Sequence, residues 1–472
     1  MSNNLPRIVR RSAFLPGLFL LLSLPFGLPA QTGTQNVHQY DSVAAKLITT
    51  ALGQNKAIEI LSELCTKVGA RLAGSPKAAQ AVNWAQAKMT ELGSQNVRLE
   101  PVTVPHWVRG KKEVGFYRIE KSRKRIPIHL TALGGSVGTL KKGMSADVIE
   151  VKSWEELETI GDRAKGKIVL FNRPMDRTLI STGVAYSRAV DQRVRGAIEA
   201  AKHGAVAALV RSMSTRYDDV PHTGMMDYVD SVARIPAAAI STNDANTLDN
   251  ILSSGKKVRA FLKLSCDTLA PVASANVVGE IVGSEKPEEV VLVGGHLDSW
   301  DKGQGAHDDG AGCIHTLEAL RLIKELGLKP KRTIRAVLFM NEEHGLNGGL
   351  AYAAKERPNE KLVAALESDA GGFSPRGFNV SDSIAWTKLS AYSALFRSIS
   401  ADRFQQSKNV GSDIGPLVKK GVVGIGLNVD NERYFDYHHS DSDTIDKVNE
   451  RELALGAAAE AILIYVIAQE GM

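Results

Sequence analysis

From Tyr40 to Gly93 the apolar residues recur at three- and four-residue spacing: Ala44, Leu47, Ile48 and Leu52, then Ile58, Ile60, Leu61, Leu64 and Val68. That period predicts helices, and the GSP turn at 74–76 introduces a further one that ends near Leu92 and Gly93. Between about 120 and 268 the rhythm changes. KGKIVLFNR (165–173) predicts a strand after a turn, RGAIEAAKHGAVAALV (195–210) a helix running into a strand, and IPAAAIS (235–241) a strand entered through proline. This middle region holds no cluster of metal-ligand residue types and suits a small β-rich structural or gating insert.

From about 275 onward strand and helix alternate. EEVVLVGGH (288–296), TIRAVLFMN (333–341), KLVAALESDA (361–370) and VVGIGLNV (422–429) are apolar strands, with helices over 310–327 and 449–469. Near-continuous apolar strands separated by helices predict an α/β fold: a mixed, mostly parallel sheet with helices on both faces. Sites in such sheets gather where the strands end, at their carboxyl edge. The apolar run 453–468 carries Glu460 and is too short to cross a bilayer, so it reads as a buried helix.

The first thirty residues belong to a different pattern. Arg7, Arg10 and Arg11 precede an apolar run from Ala13 to Ala30 broken by three prolines, which predicts a secretory signal, residues 1–30, and a secreted or periplasmic protein. Those arginines also inflate the charge: the formal +6 drops by three to +3 for the remainder. No long Lys/Arg block is left, so neither a nucleic-acid partner nor a membrane span in the mature chain is expected. With 43% hydrophobic and 23% charged residues the chain can bury a large core. Cys65, Cys266 and Cys313 lie far apart with no CxxC pair, which excludes a thiolate zinc knuckle.

The candidate chemistry falls on the predicted strand ends. His296 ends its strand, Glu342 and Glu343 follow theirs, and Asp369 sits at the end of a third. A hydrolytic zinc site needs neutral imidazole and carboxylate ligands with a position open to water. His296, Asp308, Glu343, Asp369 and a histidine at 438 or 439 would supply one bridge and two terminal ligands for each of two metals. Glu342 is then free to act as general base, since successive side chains at a strand end point in different directions. Asp298, two residues past His296, is expected to orient that imidazole. Within GGHLDSWDKGQGAHDDGAG (294–312), Asp309 is expected to cap the following helix and Asp301 to serve a turn.

The series HLDSWDKGQGAHDDGAG, MNEEHGLNGG, ESDAGG and YHHSDSDT resembles the di-zinc exopeptidases that include bacterial aminopeptidases and glutamate carboxypeptidases, and most of all their plasma glutamate carboxypeptidase (carboxypeptidase Q) branch. The resemblance spans nearly the whole chain. It implies a catalytic zinc peptidase domain over 38–118 and 272–472, interrupted by a protease-associated-like insert over 120–268. It assigns one Zn²⁺ to His296 and Asp369, the second to Glu343 and His439, with Asp308 bridging, Glu342 as base and Asp298 beside the first histidine. His439 rather than His438 fits the closing motif of the family.

His307 departs from the small or apolar residue usual before the bridging aspartate and is open as a ligand or a substrate contact. His344 and His315 are expected beside the site or in the core, and His222 is a candidate to reach over it. GSDIGPL (411–417) and NVDNERYFDY (428–437) are expected to line the pocket, and they offer Asp413, Asp430 and Arg433, so the terminus that is read stays open. The resemblance implies short peptides, especially dipeptides, as substrate and a homodimer as the working form. An aminopeptidase on the same scaffold, or a single-zinc glutaminyl-cyclase-like acyltransferase, are the alternatives.

Overall fold

The computed structural model describes residues 37–54 and 56–472; the expected export segment, 1–30, lies outside them. The fold is mixed α/β with two eight-stranded sheets. In the first, the strands run Gln95–Val108, Asp267–Ile281, Arg332–Phe339, Lys286–His296, Lys361–Glu367, Val423–Val429, Pro375–Val380 and Arg403–Gln406. Four adjacent strands at its centre, from Arg332–Phe339 to Val423–Val429, are parallel, and antiparallel pairs flank them.

Helices cover both faces. Leu292, Val337 and Ala365 pack with Tyr352 and Leu417 on one side, where the helices Asn347–Ala354 and Gly415–Val418 lie. The intervening Gly295 points the other way, at the helix Ala311–Glu325: a Cβ there would stand 3.0 Å from the Gly312 backbone. Gly312 is as tightly placed, 1.9 Å from the Ser368 carbonyl by the same measure. Two glycines therefore let this helix approach the sheet closely enough to carry the loop before it over the strand ends. The C-terminal helix Glu450–Glu470 is buried along almost its whole length and packs on Ala311–Glu325, which is what its apolar run predicts.

The second sheet runs Ile126–Pro127, Glu113–Ile119, Val258–Leu264, Met144–Val151, Ile168–Phe171, Ala207–Arg211, Ala237–Ile240 and Leu130–Ala132. The change of sheet thus falls between Val108 and Glu113, a few residues before the 118–120 boundary read from the sequence. The long strands Gln95–Val108 and Asp267–Ile281 pair along the edge of the first sheet and lead into and out of the second. Their outer residues alternate weakly, with prolines at 101, 105 and 271, which hides them from a periodicity reading. All three cysteines are buried and free.

Candidate metal centre

Lys286–His296, Arg332–Phe339 and Lys361–Glu367 are parallel neighbours, so their carboxyl ends share one edge. His296, Glu342, Glu343 and Asp369 are delivered there together, as expected from the strand ends. Asp308 reaches the same point from the loop ahead of Ala311–Glu325. Its Oδ1 stands 3.2 Å from His296 Nε2, which is 3.5 Å from Asp369 Oδ1. Its Oδ2 stands 3.2 Å from His439 Nε2, which is 2.9 Å from Glu343 Oε2. His438 is farther, with Nε2 at 3.8 Å from the same oxygen. One carboxylate therefore faces two separate imidazole–carboxylate pairs, one on each oxygen.

The donor set fits zinc: nitrogen and oxygen ligands, closely grouped, with His296, Asp308 and Glu343 buried and Asp369 and His439 partly so. Asp308 Oδ2 makes no hydrogen bond among the described residues despite its close histidine, as suits two electron-pair donors around a shared cation. Burial, joined by Asp308, pushes the Glu343 carboxyl up to about 8. Burial opposes a charged His296, yet Asp308 and Asp369 hold its pKa well above the ordinary imidazole value. A site this acidic draws positive charge, by protons or by metal.

Asp308 is held through its backbone. Asp443, at the end of the HSDSD motif, accepts the amides of His307 at 2.7 Å and Asp308 at 3.1 Å. Arg71 of the RLAGSP stretch is buried and donates to the carbonyls of Leu297, Gln304 and Gly305, tying down the rest of the loop. Asp309 accepts from Gly312 N at 2.9 Å, capping the helix, and from His296 N at 3.0 Å. His439 adopts a left-handed φ of 60°, costly for a residue with a Cβ. Its carbonyl accepts from Thr223 N at 2.8 Å, and His222 Nδ1 donates to the His438 carbonyl at 2.7 Å. His222 is thus a support beneath the histidine pair rather than an arm over the cavity, and burial holds its pKa down to about 4.

Several residues take places the sequence did not indicate. His296 Nδ1 donates to the backbone carbonyl of Asp298 at 3.0 Å, while the Asp298 carboxylate is 4.0 Å away. That carboxylate instead accepts the amides of Asn341 at 2.6 Å and Glu342 at 3.1 Å. Asp298 therefore joins the two strand ends, positioning Glu342 as well as the imidazole. Asp301 is more than a turn residue: it is gripped through two hydrogen bonds by the buried Arg109, at 2.9 and 2.6 Å, where the chain passes between the sheets. His307 is stacked between Phe373 and Tyr437, with ring centroids 4.4 and 5.3 Å apart. Its Nδ1 accepts from Gly372 N and its Nε2 faces the Lys447 carbonyl, which leaves no nitrogen free for a metal. His315 lies in the core against Ser368 and Gly456, and His344 packs near Trp107 and Trp300.

A cavity of about 390 Å³ opens on the carboxylate cluster. Asp308, Glu342, Glu343 and Asp369 line one side; Tyr186, Arg193 and Met225 from the second-sheet region line another. Glu342 faces this space, its pKa raised to about 7 by burial first and then by Asp369, Asp308 and Asp298, against His296. Of the loops expected to line it, Ser412, Tyr434 and Phe435 do. Asp413 is buried outside it, Asp430 pairs with Arg376 at 2.7 Å, and Arg433 is turned outward against Glu452. Arg193 escaped the sequence reading because a lone arginine near the start of an amphipathic helix looks like a solvated surface charge.

The profile of peptidase family M28 matches residues 276–465. Carboxypeptidase Q from Homo sapiens is 39% identical over 433 residues, covering 90% of this chain and 89% of that protein. Carboxypeptidase Q from Xenopus laevis is 39% identical over 437 residues, 92% and 90% of the two. Among solved structures, a peptidase M28 precursor from Shewanella amazonensis superposes with a TM-score of 0.87 at 36% identity, covering 92% of this chain and 98% of that one. A zinc aminopeptidase from Bacillus subtilis shares the fold, with a TM-score of 0.65 at 20% identity over 88% and 95% of the chains.

Proposed function

Because this chain belongs to peptidase family M28 and is a zinc metallopeptidase, we propose that it is an exported exopeptidase that hydrolyses short peptides, dipeptides above all, at a two-zinc centre. The observation that carries the reading is Asp308, with one oxygen toward His296 and Asp369 and the other toward His439 and Glu343. His296 and Asp369 would hold one ion, Glu343 and His439 the other, and Asp308 both. Zinc bound there supplies polarisation of the scissile carbonyl and acidifies the attacking water.

The chain's own groups do the rest. Glu342 accepts the water proton and returns it to the leaving amine. Asp298 fixes that carboxylate through the Glu342 amide. A cavity of about 390 Å³ suits a short substrate better than a long chain. The second sheet corresponds in this reading to a protease-associated-like insert that forms the far wall; the arginines ahead of an apolar run in residues 1–30 support export, and the working form in this reading is a homodimer.

Zinc titration of the purified protein is expected to reach two ions per chain, with free dipeptides turned over faster than N-acylated dipeptides or aminoacyl anilides. One tightly held zinc at full activity overturns the bridged pair; rapid anilide turnover that ignores a free carboxylate makes the enzyme an aminopeptidase.

A further inference from the structure

The charge of this protein is unevenly placed. The chain beyond residue 30 carries only +3 in total, yet KKEVGFYRIEKSRKR (111–125), KKGMSAD (141–147) and KKVRAFLK (256–263) hold thirteen lysines and arginines against three acids. The rest of the molecule is therefore net acidic. The three segments are distant in sequence and adjacent in the second sheet, where Val258–Leu264 pairs with Glu113–Ile119 on one side and with Met144–Val151 on the other. All thirteen cations except Lys263 are exposed. Among the described residues only Arg259 of the thirteen has a carboxylate within 4 Å, Asp147 at 2.9 Å, and Glu113 is held by Arg109 and Lys302 instead.

The strand register gathers much of this charge on one face. Arg118 lies opposite Arg259 and Phe116 opposite Phe261; the two rings stack at 4.8 Å, and the Arg125 guanidinium sits 4.9 Å over Phe116. The alternate residues Tyr117, Ala260 and Leu262 pack into the core. Like charges set opposite one another weaken a sheet. Lysines at a sheet edge can serve merely to block strand addition, but these cations cross the interior strand Val258–Leu264 and fill the turns at both of its ends. A cavity of about 280 Å³ opens between Arg118, Lys121, Lys257 and Arg259, with Glu120 and Asp147 also on its wall, and has room for a phosphate-bearing headgroup. Leu140, 69% exposed, stands directly before Lys141 and Lys142, and Val114 on the same face as Phe116 is 45% exposed.

We propose that this face of the second sheet docks the protein on an anionic lipid surface, with its cations on phospholipid headgroups and Leu140 inserted among them. Lipid phosphates answer the charge, and the acyl boundary takes an apolar side chain that a soluble polyanion would leave in water. A second copy of the chain is a poor occupant, because two-fold pairing would set like charge on like. None of these residues lines the cavity at the carboxylate cluster, so docking and peptide hydrolysis are independent readings.

The test is sedimentation of the zinc-loaded protein with phosphatidylcholine vesicles, with and without phosphatidylglycerol. The wild type is expected to bind the anionic vesicles about tenfold or more tightly than the neutral ones, and less tightly as salt rises. Arg123→Gln, Lys124→Gln and Lys257→Gln combined should weaken that binding by about 100-fold, at the scale of one surface cation each, while turnover of a free dipeptide stays as in the wild type. Leu140→Gln keeps every cation and should weaken it by about tenfold. Equal binding to both vesicles overturns the proposal, as does a triple variant that binds like the wild type. Vesicle binding undiminished in Leu140→Gln, or retention on duplex DNA without binding to anionic vesicles, overturns the lipid assignment: the face then takes a soluble polyanion.

Discussion

The two walls of the cavity are built by opposite means. On the first sheet, parallel strands ending at one edge bring His296, Glu342, Glu343 and Asp369 together, and the polar groups there are crowded, acidic and mutually held. On the second sheet, Tyr186 and Arg193 come from helices, stand apart from any motif, and leave donors unfilled. The difference keeps a cation away from the acidic cluster: standing among those carboxylates it would pair with them and compete with a metal, and across the cavity it does not.

Glu342→Gln strikes the chemical wall alone and should have the largest effect. Turnover of a free dipeptide is expected to fall by about 10² to 10⁴ with zinc content retained; wild-type-like turnover would remove Glu342 from the base role. Asp298→Asn loosens the same wall one step away, since its carboxylate accepts the Asn341 and Glu342 amides. A loss of about 10- to 100-fold in activity or zinc affinity is expected, and a change under twofold would show the loop to be held without it.

A smaller effect should cross from one wall to the other. His222→Ala removes the hydrogen bond to the His438 carbonyl, leaving a buried acceptor unpaired at a cost of about 1–3 kcal/mol. Zinc affinity should weaken less than in Asp298→Asn, and unaltered zinc binding and stability would show that the second sheet merely lies beside the centre. The smallest effect lies far from both walls. Glu460 is buried in the C-terminal helix with both oxygens unpaired among the described residues, and burial holds its pKa well above the ordinary value. The folded state thus binds a proton that the unfolded state has lost above the usual glutamate pKa, so this group costs stability as pH rises. Glu460→Gln should raise Tm at pH 8, with the gain shrinking toward pH 5 in a melting series; a gain independent of pH would contradict this.

The two walls were also unequally legible in the sequence. Apolar runs ending in His296, Glu342 and Asp369 betray both the central strands and their cargo, because a buried strand end is a rare place for a charge. Asp308 and His439 stand in short motifs whose partners lie far along the chain, yet their residue types suffice to group them. What those motifs hide is who holds whom. Asp301 looks like a turn residue until Arg109, 192 positions away, is seen to grip it. His307 looks like a spare ligand until Phe373 and Tyr437 enclose it. Arg193 carries no local signal at all: its burial depends on Gly224 and Tyr186 and on the closing of the cavity.

The hydrogen bonds from the His222 ring and the Thr223 amide to the carbonyls of His438 and His439 bear on how such proteins can be taken apart. A segment spliced between two strands of a self-sufficient sheet would ordinarily be a detachable module, open to deletion or exchange with a homologous piece. Here the splice carries part of the scaffolding that keeps a histidine in an unfavourable backbone conformation. A shortened chain lacking 113–264 would retain every proposed zinc ligand and still lose the posture of one, so any recombination between relatives must carry the two segments together as a single inherited unit.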